Sequence, residues 1–156
     1  MQQTYPVILT KDGDSIIAEF PDVPGALTVG TNTNNALDRA QDALVVSLSG
    51  YVDDRRDIPR PSKPKTGQKA VVLPPLIAAK LVIYQTMRDH GVTQADLAIK
   101  LHCDARQVRR LLDLDHHSRM NLIDDALRML GKKLVIDIQP LVSQKSGASK
   151  KSRVAA

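Results

Sequence analysis

A proline-rich segment near the middle of this 156-residue chain limits what the chain can fold into, because five of its nine prolines fall between residues 58 and 75. Proline fixes its own φ angle and has no backbone N–H to donate, so the segment favours a semi-rigid, extended linker. Before it, apolar side chains alternate with a period of two, and after it they recur every three or four residues. These periods predict an α+β fold, with a sheet-and-helix domain at residues 1–57 and an all-α domain at residues 76–138. Within the linker, residues 69–73 are apolar enough to add a strand, and residues 139–156 are expected to form a basic, disordered tail.

The N-terminal domain is predicted to contain three or four strands and one helix. Residues 5–10 alternate as a strand does, and Gly13 supplies the positive φ that a hairpin turn needs before a second strand at 16–20. A third short strand fits residues 27–30. Thr33 is a suitable N-cap for the helix that follows, whose apolar stripe can cover one face of the sheet. The stripe consists of Leu37, Ala40, Leu44, Leu48 and Tyr51.

Charge is distributed unevenly along the chain. Residues 1–57 hold four basic and nine acidic residues, a net charge of −5, whereas the rest of the chain carries +10. A basic surface attracts phosphate and an acidic surface attracts basic proteins, so the two parts favour partners of opposite charge. The sequence has no run of eighteen apolar residues, which argues against a membrane span. The single cysteine and the absence of an apolar signal segment favour the cytoplasm.

The residues after the linker predict four helices, and the second and third of them form a helix-turn-helix. The predicted helices are 76–89, 93–101, 104–112 and 121–130. Thr93 and Asp104 are placed to cap the second and third helices, and a turn of a few residues separates the two. The small side chain of Ala98 allows the third helix to approach closely.

The outward face of the third helix carries the residues that indicate DNA binding. Arg106, Arg109 and Arg110 are spaced i, i+3 and i+4, so they share one exposed face. In a helix-turn-helix this helix enters the major groove, where arginine pairs with guanine and glutamine with adenine. The start of the preceding helix is placed to hold a backbone phosphate, and lysines add contacts that do not depend on base sequence. The predicted DNA-binding residues are Thr93, Gln94, Lys100, Arg106, Gln107, Arg109 and Arg110.

Self-association is predicted at the end of the helical domain. Readers of this type bind two half-sites of DNA as a dimer, so we expect a homodimer or a higher homo-oligomer. Residues 134–138 alternate like a strand, which suggests pairing of strand edges across a two-fold axis. The dimerisation candidates are Leu134, Val135, Ile136 and Ile138.

Several segments, taken in order and spacing, resemble the HicB-type antitoxins, in the branch of that family that carries a helix-turn-helix. The matching segments are Tyr5-Pro6-Val7, Glu19 to Gly30, the helix through Ala36 to Leu44, Val72 to Leu76, Thr93 to Ala98, and Ala126 to Leu134. The resemblance covers residues 5–138. It implies a partial RNase-H-like fold for the first domain and a protein that is not an enzyme. It also implies two partners. The front domain, residues 1–57, would bind a small basic ribonuclease toxin (HicA), and the back domain, residues 76–138, would bind the operator DNA of its own operon.

The exposed acids of the front domain are the candidates for toxin binding, because acidic side chains attract a basic partner. These residues are Asp12, Asp14, Glu19, Asp22, Asp38 and Asp42.

Three other functions compete with that of an antitoxin. A nuclease needs carboxylates that converge on metal ions about 4 Å apart, whereas the front acids are scattered over turns, a strand end and a loop. A zinc site is not expected, because His102 and Cys103 are adjacent, as are His116 and His117, and neither pair has the spacing of metal ligands. No metal and no cofactor is therefore predicted. A stand-alone repressor whose front domain oligomerises or senses a ligand stays open, since only a protein partner separates it from an antitoxin.

Overall fold

The computed structural model describes residues 3–141, in which a four-stranded sheet covered by one helix is followed by four more helices. The predicted α+β fold class is confirmed. The strands are β1 (Thr4–Asp12), β2 (Ser15–Glu19), β3 (Leu27–Gly30) and β4 (Lys69–Val72). The helices are α1 (Thr33–Asp53), α2 (Pro75–His90), α3 (Gln94–Lys100), α4 (Ala105–Leu112) and α5 (Met120–Met129). Most of the predicted tail, from residue 142 onward, lies outside the described residues.

The sheet is antiparallel throughout, in the order β3-β2-β1-β4. β1 pairs with β4 through residues 4–7 and with β2 through residues 8–12. The N–H of Leu73 donates to the carbonyl oxygen of Gln3 at 3.0 Å, so the hydrogen-bonded positions on β1 alternate from Gln3 onward. Pro6 therefore falls between two such positions, where the missing N–H of proline costs no bond to β4.

Helix α1 packs on one face of the sheet through side chains spaced by four residues. Ala36, Ala40, Leu44 and Leu48 are fully buried, whereas Leu37 and Tyr51 of the predicted stripe are only half-buried. The predicted N-cap, Thr33, is wrong by one residue. Asn32 has the extended backbone of a cap, and its Oδ1 accepts the N–H of Asn35 at 2.9 Å.

The N-terminus of α1 lies almost in contact with the backbone of β3. A Cβ placed on Gly30 would lie 2.4 Å from the N atom of Ala36 and 2.5 Å from its Cα atom. Only a residue without a side chain fits there, so Gly30 sets how closely the helix approaches the sheet.

The proline-rich segment is held against the front domain. Residues 58–65 form neither helix nor strand, but the Tyr5 hydroxyl donates to the carbonyl oxygen of Pro59 at 2.8 Å. The N–H of Ser62 donates to Asp22 Oδ2 at 2.7 Å. The expected strand in this region forms as β4, at Lys69–Val72.

Helix α2 connects two hydrophobic cores. Its Leu81 is buried in the core between the sheet and α1, whereas Ile83 and Met87 are buried in the core of the helical region. Polar contacts reinforce the junction. The Tyr84 hydroxyl donates to the Arg56 carbonyl at 2.8 Å, and Arg88 Nε lies 2.7 Å from Asp57 Oδ1. The hydrogen bond from Arg88 lowers the pKa of the Asp57 carboxyl.

Burial of Tyr5 predicts a loss of stability at alkaline pH. Burial, with a smaller contribution from the charge of Asp22, raises the pKa of Tyr5 to about 12. A tyrosine in the unfolded chain ionises near pH 10, so between about pH 10 and 12 the unfolded state binds fewer protons than the folded state. The free energy of unfolding therefore falls as pH rises through this window. The Tyr5→Phe protein should lose less of its stability than the wild-type protein does. Urea unfolding at pH 9, 10, 11 and 12 measures the free energy of unfolding of both proteins. An equal fall with pH in the two proteins would contradict the prediction.

The predicted strand at 134–138 does not form. Residues 132–141 are neither helix nor strand, and the side chains of Val135, Ile136 and Ile138 are 76%, 63% and 89% exposed. A strand needs a neighbour to satisfy its backbone groups, and the described part of this chain places none beside it. Pairing of these residues across a dimer axis stays a prediction. Among the described helices, none is long and apolar enough to cross a membrane.

Candidate nucleic-acid interface

Helices α3 and α4 form a helix-turn-helix with both predicted caps present. The N–H of Asp96 donates to Thr93 Oγ1 at 3.1 Å, and the N–H of Thr93 donates to Asp96 Oδ2 at 2.9 Å. This reciprocal pair is a capping box, and its hydrogen bonds lower the pKa of the Asp96 carboxyl. At the start of α4, Asp104 Oδ1 accepts the N–H of Gln107 at 2.8 Å. Both helices therefore begin at positions fixed by their own side chains.

The turn between α3 and α4 contains a residue other than glycine in the left-handed conformation. His102 has a φ of 50°, in the left-handed region, and the N–H of Cys103 donates to the carbonyl of Ala98 at 3.0 Å. A left-handed conformation costs roughly 1–2 kcal/mol for a residue with a Cβ atom. The thiol of Cys103 is half-buried, and burial raises its pKa, which makes it a poor nucleophile.

The inward faces of α3 and α4 pack as predicted. Leu97 and Ala98 of α3 are buried against the α4 side chains Val108, Leu111 and Leu112. This packing leaves the opposite face of α4 in solvent.

The solvent face of α4 is strongly basic. Arg106, Arg109 and Arg110 are exposed, with Gln107 among them, and within residues 3–141 none of the three arginines forms a salt bridge. Their charge is therefore not neutralised by any acidic side chain of the described residues. The other DNA-binding candidates lie on α3 and are also exposed, with Thr93 and Gln94 at its start and Lys100 at its end.

A cleft of about 400 Å³ beside α4 extends this basic surface. Its lining residues are Gln107, Arg110, Leu111, His116, His117, Ser118, Arg119 and Leu122. Arg119 is the N-cap residue of α5 and makes no side-chain cap, so the first N–H groups of α5 lack a side-chain acceptor from that position. Arg119 is not among the residues predicted from the sequence. The one sequence feature that points to it is its position immediately before the helix that follows α4.

Lys80 is a second residue that the sequence analysis missed. It is fully buried, and its ammonium donates to the carbonyl oxygens of Arg110 at 3.4 Å, of Asp113 at 2.5 Å and of His116. Burial lowers the pKa of Lys80, against the opposing effect of Asp113 and Asp115. Lys80 thus joins α2 to the end of α4 and to the turn behind it. The sequence feature that points to Lys80 is that it is the only charged residue in the mostly apolar segment 75–87.

The six acidic residues predicted for toxin binding do not form one surface. Asp12 and Glu19 lie on strands of the sheet, Asp14 lies in the hairpin turn, and Asp38 and Asp42 are exposed on α1. Asp22 is already bonded, since its carboxylate accepts both the N–H and the hydroxyl of Ser62. In the described range 3–141, no group of three or more His, Cys, Asp or Glu residues is placed to hold a metal ion.

An α+β domain joined to a helix-turn-helix whose second helix has a basic exposed face places this chain in a class of two-part helix-turn-helix proteins. Comparison with known proteins identifies the family within this class. The model of the HicB-like antitoxins of bacterial toxin–antitoxin systems matches residues 4–82. This chain belongs to that family.

Similarity to individual antitoxins extends well beyond the front domain. The chain is 39% identical over 130 residues to Antitoxin HicB 2 of Photorhabdus laumondii, covering 83% of this chain and 92% of that protein. It is 35% identical over 136 residues to Antitoxin HicB of Pseudomonas fluorescens, covering 86% of this chain and 93% of that protein. For Antitoxin HicB of Escherichia coli K12 the identity is 30% over 131 residues, covering 83% and 95%. The protein is thus an antitoxin of a toxin–antitoxin system, and not an enzyme.

Proposed function

We propose that this antitoxin neutralises a small basic ribonuclease toxin through its front domain and represses its own operon through its helix-turn-helix. The observation that carries the second role is the exposed arginine face of α4, which has no acidic partner in the described chain. The acidic front domain and the family of named antitoxins support the first role. On this proposal the protein acts in the cytoplasm, and at the nucleoid when it is bound to DNA.

The geometry of α4 suits the major groove. Eight residues at 1.5 Å each give a helix about 12 Å long, comparable with a groove about 12 Å wide. Arg106 and Gln107 lie near the end of α4 that reaches base edges in this architecture, and Arg109 lies one turn further along. On this proposal the start of α3, Lys100 and the cleft with Arg119 would contact backbone phosphates on either side of the groove. A dimer held by residues 134–138 would present two such helices to paired half-sites.

Replacing Arg109 with alanine should weaken operator binding by about 5- to 150-fold, the cost of roughly 1–3 kcal/mol for a base-reading arginine. Lys100→Ala should instead weaken operator and random duplex equally and reduce the salt dependence by about one phosphate contact. Fluorescence anisotropy with duplex from the chain's own promoter measures both effects. Arg128→Ala is the matched control, because Arg128 is exposed but paired with Asp124 on α5. Equal losses for Arg109→Ala and Arg128→Ala would contradict base reading by α4.

Neutralisation is tested by co-expression with the small basic toxin that this proposal expects to be encoded beside this chain. Expression of that protein alone should stop growth, and co-expression of the antitoxin should restore it. A chain that represses its own promoter but does not restore growth would instead favour the stand-alone regulator.

A further inference from the structure

The face of the sheet opposite α1 presents apolar side chains to solvent. Residues directly opposite each other in antiparallel strands share a face, so the pairing of Ile8 with Glu19 and of Ile17 with Val29 defines which side chains lie together. Ile8, Leu27 and Val29 are 37%, 55% and 42% exposed. We call this surface the open strand face. Its residues on β1 to β3 are Ile8, Thr10, Asp12, Ser15, Ile17, Glu19, Leu27 and Val29.

The charge of the open strand face has one sign. Asp12 and Glu19 are its only charged residues, and both are exposed. Lys11 alternates to the other side, where its strand partner Ile16 packs against the core under α1. An apolar centre with acids and no base on the same face suits a basic protein surface and would repel a second copy of itself.

Helix α1 obstructs the two edges of the sheet. Arg39 Nη1 donates to the carbonyl oxygen of Val29 at 3.0 Å, on the outer side of β3. Gln41 Nε2 donates to the carbonyl oxygen of Val72 at 2.7 Å, on the outer side of β4. Each edge therefore has one outward carbonyl already bonded, which disfavours the addition of a strand from another chain. A partner is left with the face of the sheet and not its edges.

We propose that the basic toxin docks on the open strand face, with Leu27 and Val29 of the edge strand β3 as apolar anchors and Glu19 as the acid beside them. This inference rests on the proposed toxin neutralisation. It divides the six predicted acids, because Asp12 and Glu19 contact the toxin, whereas Asp38 and Asp42 on α1 do not. Apolar anchors at the centre of an interface carry most of its affinity, and flanking acids mainly set the association rate.

The test measures binding of the purified toxin encoded beside this chain to full-length antitoxin variants by biolayer interferometry. Leu27→Lys should raise the dissociation constant at least 10-fold. Its matched control is Val46→Lys, which adds the same charge at a 70% exposed apolar position on α1 and should stay within twofold of wild type. Glu19→Lys should slow association, whereas Asp38→Lys, with the same change of charge on α1, should not. Thermal unfolding of each variant checks that it is folded, which the exposure of Leu27 favours.

Three results would contradict the inference. Equal effects of Leu27→Lys and Val46→Lys would overturn the open strand face as the docking surface while leaving toxin neutralisation intact. If Leu27→Lys dissociates an antitoxin oligomer in sedimentation and leaves toxin binding unchanged, a second copy covers the face and the inference is wrong. Absence of toxin binding by the wild-type chain would overturn the proposed neutralisation itself, and the docking surface with it.

Discussion

Replacing Lys80 with methionine is expected to lower the free energy of unfolding by about 3 kcal/mol. Methionine fills a similar volume but cannot donate, so the carbonyl oxygens of Arg110, Asp113 and His116 lose the ammonium that holds them together. The Asp113 carbonyl still accepts the N–H of His116 at 3.2 Å, so the carbonyls of Arg110 and His116 are the ones left without a donor. A buried polar group left without its partner costs about 1–3 kcal/mol. The loss should exceed what methionine regains by removing a charge from the interior.

Urea unfolding followed by circular dichroism measures this loss, and Lys100→Met is the control because Lys100 is an exposed lysine at the end of α3. The control should change stability by no more than about 0.5 kcal/mol. Because the three carbonyls lie at the end of α4 and in the turn behind it, Lys80→Met should also weaken operator binding under conditions where the variant is still folded. A Lys80→Met protein as stable as the Lys100→Met protein would show that the buried ammonium contributes nothing to the turn.

Alanine at Gly30 should destabilise the front domain by about 3 kcal/mol, the upper part of the range for overpacked interiors. The new methyl group would meet the backbone of Ala36, at 2.4 Å from the N atom, and a backbone cannot rotate away as a flexible side chain can. Helix α1 would have to lift from β3, which also loosens the burial of Ala36 and Ala40.

The matched control is Gly50→Ala, since Gly50 lies in α1 with no atom within 4 Å of its added Cβ. Alanine is the better helix former by about 1 kcal/mol, so this variant should be as stable as wild type or more stable. The two substitutions add the same methyl group and are expected to shift the thermal midpoint in opposite directions. A Gly30→Ala protein with a wild-type midpoint would mean that α1 yields at its N-terminus without cost.

The features that the sequence predicted well are those set by residues close together in the chain. The caps at Thr93 and Asp104 each involve a residue three positions away, and the hairpin turn at Gly13 depends on one φ angle. The same locality explains the small error at the start of α1, where Asn32 and Thr33 are adjacent, and both can cap a helix.

The features that the sequence could not predict depend on contacts between distant residues. Lys80 contacts groups 30 to 36 positions away in the chain, and nothing near it in the sequence shows that three carbonyls converge there. The need for glycine at residue 30 follows from the packing of a helix onto a strand. His102 adopts a left-handed turn without the glycine that usually marks one. Residues 134–138 show the reverse case, because they alternate regularly in sequence but have no neighbouring strand among residues 3–141.

The sharing of α2 between two cores has a consequence for how this protein is lost from a cell. Leu81 and Ile83 belong to different cores but lie two residues apart on one helix, so neither core can open widely without fraying the helix that supports the other. We therefore expect the described part of the chain to unfold as one cooperative unit. A protease that acts on the unfolded state would then remove the acidic and the basic surface in a single event, and no fragment would keep one of them alone.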